Sequence, residues 1–313
     1  MKTIGVTGGT GFIGHHLTRL LLQRGYNVVI FTRSIKRSRS FKHITYAALD
    51  AEKNICDASV LQKLDAVIHL AGAGIADKRW TDKRKQEIVS SRVDGTKYLT
   101  TKLRQQAPNC HTFIAASAIG YYGPDRPGLI PFSEDAPPYT DFLAHTCMMW
   151  EHESWALADA MRTVILRFGI VLGRESGAFA EFEKPTRFGV APILGLGTQV
   201  ISWIEISDLA AILVFALEND KAQGIYNAVA PHPVTNAQMM QAIRLEKKGI
   251  QVPVHISSAI LKILLGEMST EVLKSCTVSN ERISSLGFTF QYPDIQTAVH
   301  AILSKKAKHK HNR

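Results

Sequence analysis

Over the first 170 residues, short apolar, β-branched runs alternate with longer segments of helical period. Thr3–Thr7, Val28–Thr32, Ala66–Leu70, Thr112–Ala116 and Thr163–Phe168 read as buried strands. Phe12–Arg24 places Ile13, Leu17, Leu20 and Leu21 at helical spacing, with Gly25 behind it as a stop. Asp82–Gln106 and Asp141–Ala160 are two more long helical stretches. Alternation of this kind predicts an α/β fold with a doubly wound parallel sheet, because parallel neighbours need a long crossover, usually a helix. After Gly173 the texture changes, and residues 173–202, Pro192–Gly197 above all, read as glycine-rich loop. A helix opening at Asp208 runs to Leu217, and Gly224–Ala228 follows as a strand. From Thr235 onward the pattern is mainly helical, broken at Pro253 and Pro293. The expected division is a larger lobe of residues 1–172, joined by about 203–230. Residues 173–202 and 231–303 then form a smaller, mainly C-terminal lobe, and 304–313 a basic tail.

A chain of 313 residues with 45% hydrophobic and 20% charged positions can bury two such cores, which excludes disordered and collagen-like classes. The longest apolar run, Leu209–Leu217, is nine residues; a membrane-spanning helix needs about 20. Met1 and Lys2 lead straight into a glycine-rich segment without a signal-peptide core, so a cytoplasmic location and no membrane partner are expected. Cys56, Cys110, Cys147 and Cys276 are far apart, which predicts free thiols and no metal site. Of the net charge of +10, five Lys/Arg lie in residues 304–313, a segment read as a solvated end; no nucleic-acid partner is expected.

The strongest chemical signal is Val6-Thr7-Gly8-Gly9-Thr10-Gly11-Phe12-Ile13-Gly14, placed directly between a strand and an amphipathic helix. In that context Gly8 makes the tight turn, Gly11 lets backbone approach a pyrophosphate, and Gly14 lets the helix pack on the sheet. The free N–H groups of the helix start then face the phosphates. This predicts a Rossmann-type dinucleotide site. An NAD site places Asp or Glu at the end of the second strand; here the end is Thr32-Arg33-Ser34, with Lys36, Arg37 and Arg39 close behind. Guanidinium pairs well with phosphate, so the cofactor expected is NADP(H). The small residues after Leu70, Ala71 and Gly72, give a ribose or nicotinamide room at the next strand end.

These motifs resemble the short-chain dehydrogenase/reductase superfamily in its extended, nucleotide-sugar-epimerase branch, through Thr7–Gly14, His69–Ala73, Ser117 with Tyr122-Gly123, and Arg167–Gly173. Lys78–Thr81, Gly120–Gly123, Trp150-Glu151, Pro192–Gly197, Trp203-Ile204, Asn227–Pro231 and Leu264–Met268 are similar to an atypical, epimerase-like family with a C-terminal domain of unknown function. That resemblance implies NADP(H) contacts at Thr32, Arg33, Leu70, Ala71, Glu87, Arg92 and Val171. The superfamily uses a Ser, a Tyr-x-x-x-Lys pair and often an Asn. Ser117 stands at the Ser position, but Leu143 and Cys147 fall at the Tyr and Lys positions, and Arg92 at the Asn. The atypical family is similar in lacking the pair. Among Tyr121, Tyr122, Tyr139, His145 and Cys147, the substitute acid/base chosen is Tyr121, four residues past Ser117. Glu87 and Arg92, five apart on one helix, should each have a different partner.

The leading expectation is an NADP(H)-dependent oxidoreductase acting on a small-molecule substrate, with Ser117 polarising the reacting oxygen. A nucleotide-sugar epimerase and an NADP(H)-binding sensor or scaffold without turnover remain open. Neither substrate nor oligomeric state is legible.

Overall fold

The computed structural model describes residues 1–35, 42–128, 130–247 and 249–304. In chain order the larger unit contains β1 (Thr3–Thr7), α1 (Phe12–Gln23), β2 (Asn27–Thr32), β3 (Ile44–Asp50), β4 (Ile55–Cys56), α2 (Ala58–Leu61), β5 (Ala66–His69), α3 (Asp82–Gln106), β6 (Thr112–Ala118), α4 (Phe142–Trp155) and β7 (Arg162–Phe168). There follow β8 (Ile170–Leu172), α5 (Ala178–Thr186), β9 (Val190–Leu194), β10 (Val200–Ile201), β11 (Trp203–Glu205), α6 (Ile206–Glu218) and β12 (Gly224–Ala228). The C-terminal part holds β13 (Val234–Thr235), α7 (Asn236–Glu246), β14 (Val252–Ile256), α8 (Ser258–Leu265), α9 (Met268–Leu273), α10 (Glu281–Ser285) and α11 (Ile295–Ser304).

The main sheet runs β12-β7-β6-β5-β1-β2-β3-β4 and is parallel except at the β3–β4 edge. Its strands read as near-continuous apolar runs because both faces are covered. Ile4, Val6, Ile30 and Ile68 pack on one face with Leu17 and Leu21 of α1 and Leu209 and Leu213 of α6. Val29, Phe31, Val67 and Phe113 pack on the other with Leu99 and Leu103 of α3. From β1 the chain winds to β2 and β3 on one side and to β5, β6, β7 and β12 on the other. The carboxyl ends of β1 and β5 therefore flank the point where strand order reverses, the place where such sheets bind ligands.

A separate core joins α5 and β11 to the C-terminal part, where Phe179, Trp203, Met239, Met240, Ile243 and Val299 are buried together. Asp208, buried in the first turn of α6, ties this part down by accepting hydrogen bonds from the backbone N–H groups of Gln291 and Tyr292.

Several expectations need correction. Residues 173–202 are not one loop but carry α5, β9 and β10. The helix expected from Asp208 begins two residues earlier, at Ile206, because Glu205 caps it by accepting from the Ser207 N–H. The stretch to Ala160 stops being helical at Trp155. β3 and β14 lie in segments with no predicted strand. Lys36, Arg37, Arg39 and residues 305–313 fall outside the described residues.

Candidate functional site

The glycine loop crosses the carboxyl end of the sheet between β1 and α1. Gly8 has φ +67, and a side-chain carbon there would lie 2.8 Å from the carbonyl carbon of Leu70. A Cβ on Gly14 would collide with the Gly8 carbonyl oxygen, so α1 can begin this close to the sheet only as glycine. The loop closes with Gly11 N–H donating to Gly8 O at 2.9 Å. α1 has no side-chain cap and no acidic residue in its first turn. Its first N–H groups and its positive dipole end are thus left to an anion. Thr10 and Gly11 are exposed and Phe12 and Ile13 half-buried beside them. The Phe12 ring packs against Gly173 and Gly177, past the end of β8, which contains Val171. These residues fit a pyrophosphate.

A buried bond chain holds β1, β5 and α3 in register here. The Thr7 hydroxyl accepts from the N–H groups of Leu70 (3.1 Å) and Ala71 (3.2 Å). Both its lone pairs are used, so its own proton goes to His69 Nδ1 at 2.6 Å. His69 then carries its proton on Nε2 and donates to Thr96 at 2.9 Å. Burial pushes the His69 imidazole down to about 4. An unfolded His titrates near 6.5. Protonation thus favours the unfolded chain, and the contribution is full above pH 6.5 and lost as pH falls toward 4. Between pH 7 and pH 5 the loss from this residue should be about 2 kcal/mol. Urea denaturation of wild type and His69→Asn at both pH values should show that difference, and parallel pH trends would refute it.

Thr32 ends β2 and Arg33 follows it, exposed and with no carboxylate beside it in sequence. The Ser34 N–H turns back onto the Thr32 hydroxyl at 3.2 Å. Glu87 lies across from them on α3. Its carboxylate accepts from Arg84 at 2.6 Å, and that bond, with added pull from Lys78 and Arg33, holds it below the usual carboxylate range. Glu87 and Arg92 do have different partners. Arg92 is buried, donates from Nη1 to Ala73 O (3.0 Å) and Ile88 O (3.2 Å), and lies over the Trp150 ring at 5.2 Å.

Ser117, at the end of β6, is 2% exposed and donates to Glu151 Oε1 at 2.6 Å. Glu151 is gripped by Arg167 through two bonds, Nε and Nη2, each at 2.8 Å. Arg167 Nη1 donates to the Tyr122 hydroxyl at 2.9 Å, and Tyr122 donates to Asn227 Oδ1 at 2.6 Å. Burial alone would lower the Arg167 guanidinium, but the Glu151 bonds outweigh it and raise it. Burial pushes Tyr122 up to about 12 against the opposing pull of Arg167. The expected polarising proton of Ser117 is therefore already committed inside the protein. Leu143 and Cys147 are both buried, Leu143 against Trp80, Ile88 and Met268. Burial, with Glu151 adding, pushes the Cys147 thiol up to about 12. Tyr121 is half-buried, its ring 3.5 Å from the Arg167 guanidinium carbon. His145 is exposed on α4.

Sequence reasoning did not identify Glu151, Arg167, Tyr122 and Asn227 as one network. One signal was available: Arg167 interrupts the apolar run Val164–Phe168 within β7, and a buried charge needs a partner. Among the described residues no three His, Cys, Asp or Glu side chains gather as metal ligands, and no helix is long and apolar enough to cross a membrane.

The sequence model of the NAD dependent epimerase/dehydratase family matches residues 4–228, and that of a domain of unknown function, DUF1731, matches 256–302. Epimerase family protein YfhF of Bacillus subtilis is 35% identical over 306 residues, covering 97% of this chain and 98% of that one. Human epimerase family protein SDR39U1 is 31% identical over 303 residues, covering 96% and 99%. The crystal structure of human SDR39U1 (isoform 2) with NADPH superposes with a TM-score of 0.86 at 29% identity, over 97% of this chain and 99% of that one. A Bacillus cereus UDP-glucuronic acid 4-epimerase, solved with UDP-glucuronic acid and NAD, shares the fold at TM-score 0.79 and 22% identity, over 96% of this chain and 97% of that one.

Proposed function

The chain belongs to the NAD dependent epimerase/dehydratase family, and on that premise we propose that it is an NADP(H)-dependent oxidoreductase acting on a small-molecule substrate. The observation that carries this reading is the uncapped start of α1 under the glycine loop, next to an exposed Arg33 at the end of β2. Gly8, Thr10, Gly11, Phe12, Ile13 and Gly14 hold the pyrophosphate, and Thr32 and Arg33 take the 2′-phosphate. Leu70, Ala71 and Gly72 leave backbone room for a ribose, and Glu87, Arg92 and Val171 flank the same edge. The NADPH in the human SDR39U1 structure supports this assignment. When bound, the cofactor supplies or accepts a hydride.

The chain's own residues supply position and proton handling. Ser117 keeps its proton on Glu151, so toward a substrate it offers only an acceptor and orients rather than polarises. Tyr121, backed by the fixed charge of Arg167, is the group that gives or takes the proton. One observation favours a second reading, an NADP(H)-binding protein without turnover: Leu143 and Cys147, at the positions of the missing pair, are packed away from solvent.

Incubation with NADPH and a panel of aldehydes and ketones, followed by loss of reduced-nicotinamide absorbance, separates the two. Oxidation by wild type and none by Tyr121→Phe is the expected result. Tight NADPH binding with no oxidation by any carbonyl would favour the second reading, and no binding would overturn both.

A further inference from the structure

A buried cation in the first turn of a helix is disfavoured, because the helix dipole already places positive charge there. Arg84 nonetheless stands in the first turn of α3, three residues past the Thr81 cap, and is 6% exposed. Its guanidinium reaches three groups. Nη1 donates to Glu87 Oε2 at 2.6 Å, Nη2 donates to the Gly74 carbonyl, and Nη2 lies 3.7 Å from Asp77 Oδ2. Nε is fully enclosed and has no acceptor among the described residues. The fold thus keeps a cation where burial, the dipole and an orphan donor all oppose it. What it gains is control of two carboxylates.

Those carboxylates border the edge assigned above to NADP(H). Thr7 of β1 pairs with Phe31 of β2 on one side and with His69 of β5 on the other. Neighbouring strands lie about 4.8 Å apart, so Arg33 and the loop leaving β5 flank the glycine loop about 10 Å from each other. Asp77 belongs to that loop, and Glu87 is exposed on the helix that follows it. The charges of Arg33 and Lys78 both reach the Glu87 carboxylate. With Arg84 in place, the group formed by Arg33, Lys78, Asp77 and Glu87 is net positive; without it the group is neutral. A carboxylate left loose at this edge is what an NAD site presents to the ribose hydroxyls, and it repels a 2′-phosphate.

Resting on the NADP(H) reading above, we propose that Arg84 is a positioning residue for cofactor choice: it holds the Glu87 carboxylate and cancels its charge, which leaves Arg33 free for the 2′-phosphate. Glu87 Oε1 has no partner among the described residues, so it can still accept from a cofactor hydroxyl. The NADP(H) contact that family resemblance implies for Glu87 is therefore kept. Arg84 acts through Glu87 and need not touch the nucleotide.

The test is fluorescence titration of NADPH and NADH on wild type, Arg84→Gln, Arg84→Lys and the double variant Arg84→Gln with Glu87→Gln. Gln keeps a donor for the Gly74 carbonyl without the charge, and Lys keeps the charge without the fork. The quantity read is the ratio of the two affinities, which a loss of contacts shared by both nucleotides does not move. The preference for NADPH should fall about tenfold in Arg84→Gln, no further than in Arg33→Ala, with NADH binding kept or tightened. It should change less than threefold in Arg84→Lys and return to within threefold of wild type in the double variant. A preference within threefold of wild type in Arg84→Gln, an equal loss of both nucleotides, or no recovery in the double variant would overturn the proposal. Should Arg84→Gln not fold, Arg84→Met reads the same ratio. A wild type without preference for NADPH sinks the cofactor reading itself, whereas a wild-type preference that survives in Arg84→Gln sinks only the role of Arg84.

Discussion

Glu151→Ala is expected to lower the unfolding free energy by about 3–5 kcal/mol, the largest effect of any single polar substitution at this site. Glu151 is 5% exposed and Arg167 1% exposed, so neither charge can fall back on water. Removing the carboxylate leaves Arg167, among the described residues, with the Tyr122 hydroxyl and the Glu134 carbonyl as its hydrogen-bond acceptors and no counter-charge, and leaves Ser117 without its acceptor. The penalty is that of an uncompensated buried guanidinium rather than the net worth of the pair. The double variant Glu151→Met with Arg167→Met should therefore be markedly more stable than Glu151→Ala. Urea unfolding of both variants checks this. A loss below about 1 kcal/mol, the range of exposed pairs, would mean that water reaches the pair.

The second large effect belongs to the cofactor. Arg33→Ala should weaken NADPH binding about ten- to hundredfold, corresponding to about 1.5–3 kcal/mol for a charge-assisted bond to phosphate. NADH, which has no 2′-phosphate, should bind the variant and the wild type alike. Arg33 is exposed and holds no element of the fold through a hydrogen bond among the described residues, so stability should stay within about 0.5 kcal/mol. Fluorescence titration of both nucleotides reads the first effect and thermal unfolding the second.

Where the signals were local, the sequence was informative. Helical spacing from Phe12, with a glycine in the left-handed region behind it, marks α1 to within a residue; Gly25 has φ +83. The glycine loop was legible because each glycine answers a contact within a few residues or at the next strand end. β9 was hidden because Pro192 reads as a loop residue. Gly189 O and Gly195 N bond β14, so by alternation the missing N–H of Pro192 falls on the unpaired edge, where a strand tolerates it. The network around Glu151 was illegible for a different reason. Its members come from β6, β7, α4, β12 and the turn at Tyr122, and only tertiary packing makes them neighbours. Arg92 was visible as a departure from the Asn pattern, but its seat against two backbone carbonyls and the Trp150 ring could be seen only in three dimensions.

The most direct measurement is a titration of the wild-type protein with NADPH and with NADH under the same conditions. The account predicts that NADPH binds at least tenfold more tightly, a difference of about 1.4 kcal/mol. Equal affinity for the two nucleotides, or no binding of either, would contradict the assignment of the glycine loop and Arg33 to an NADP(H) site.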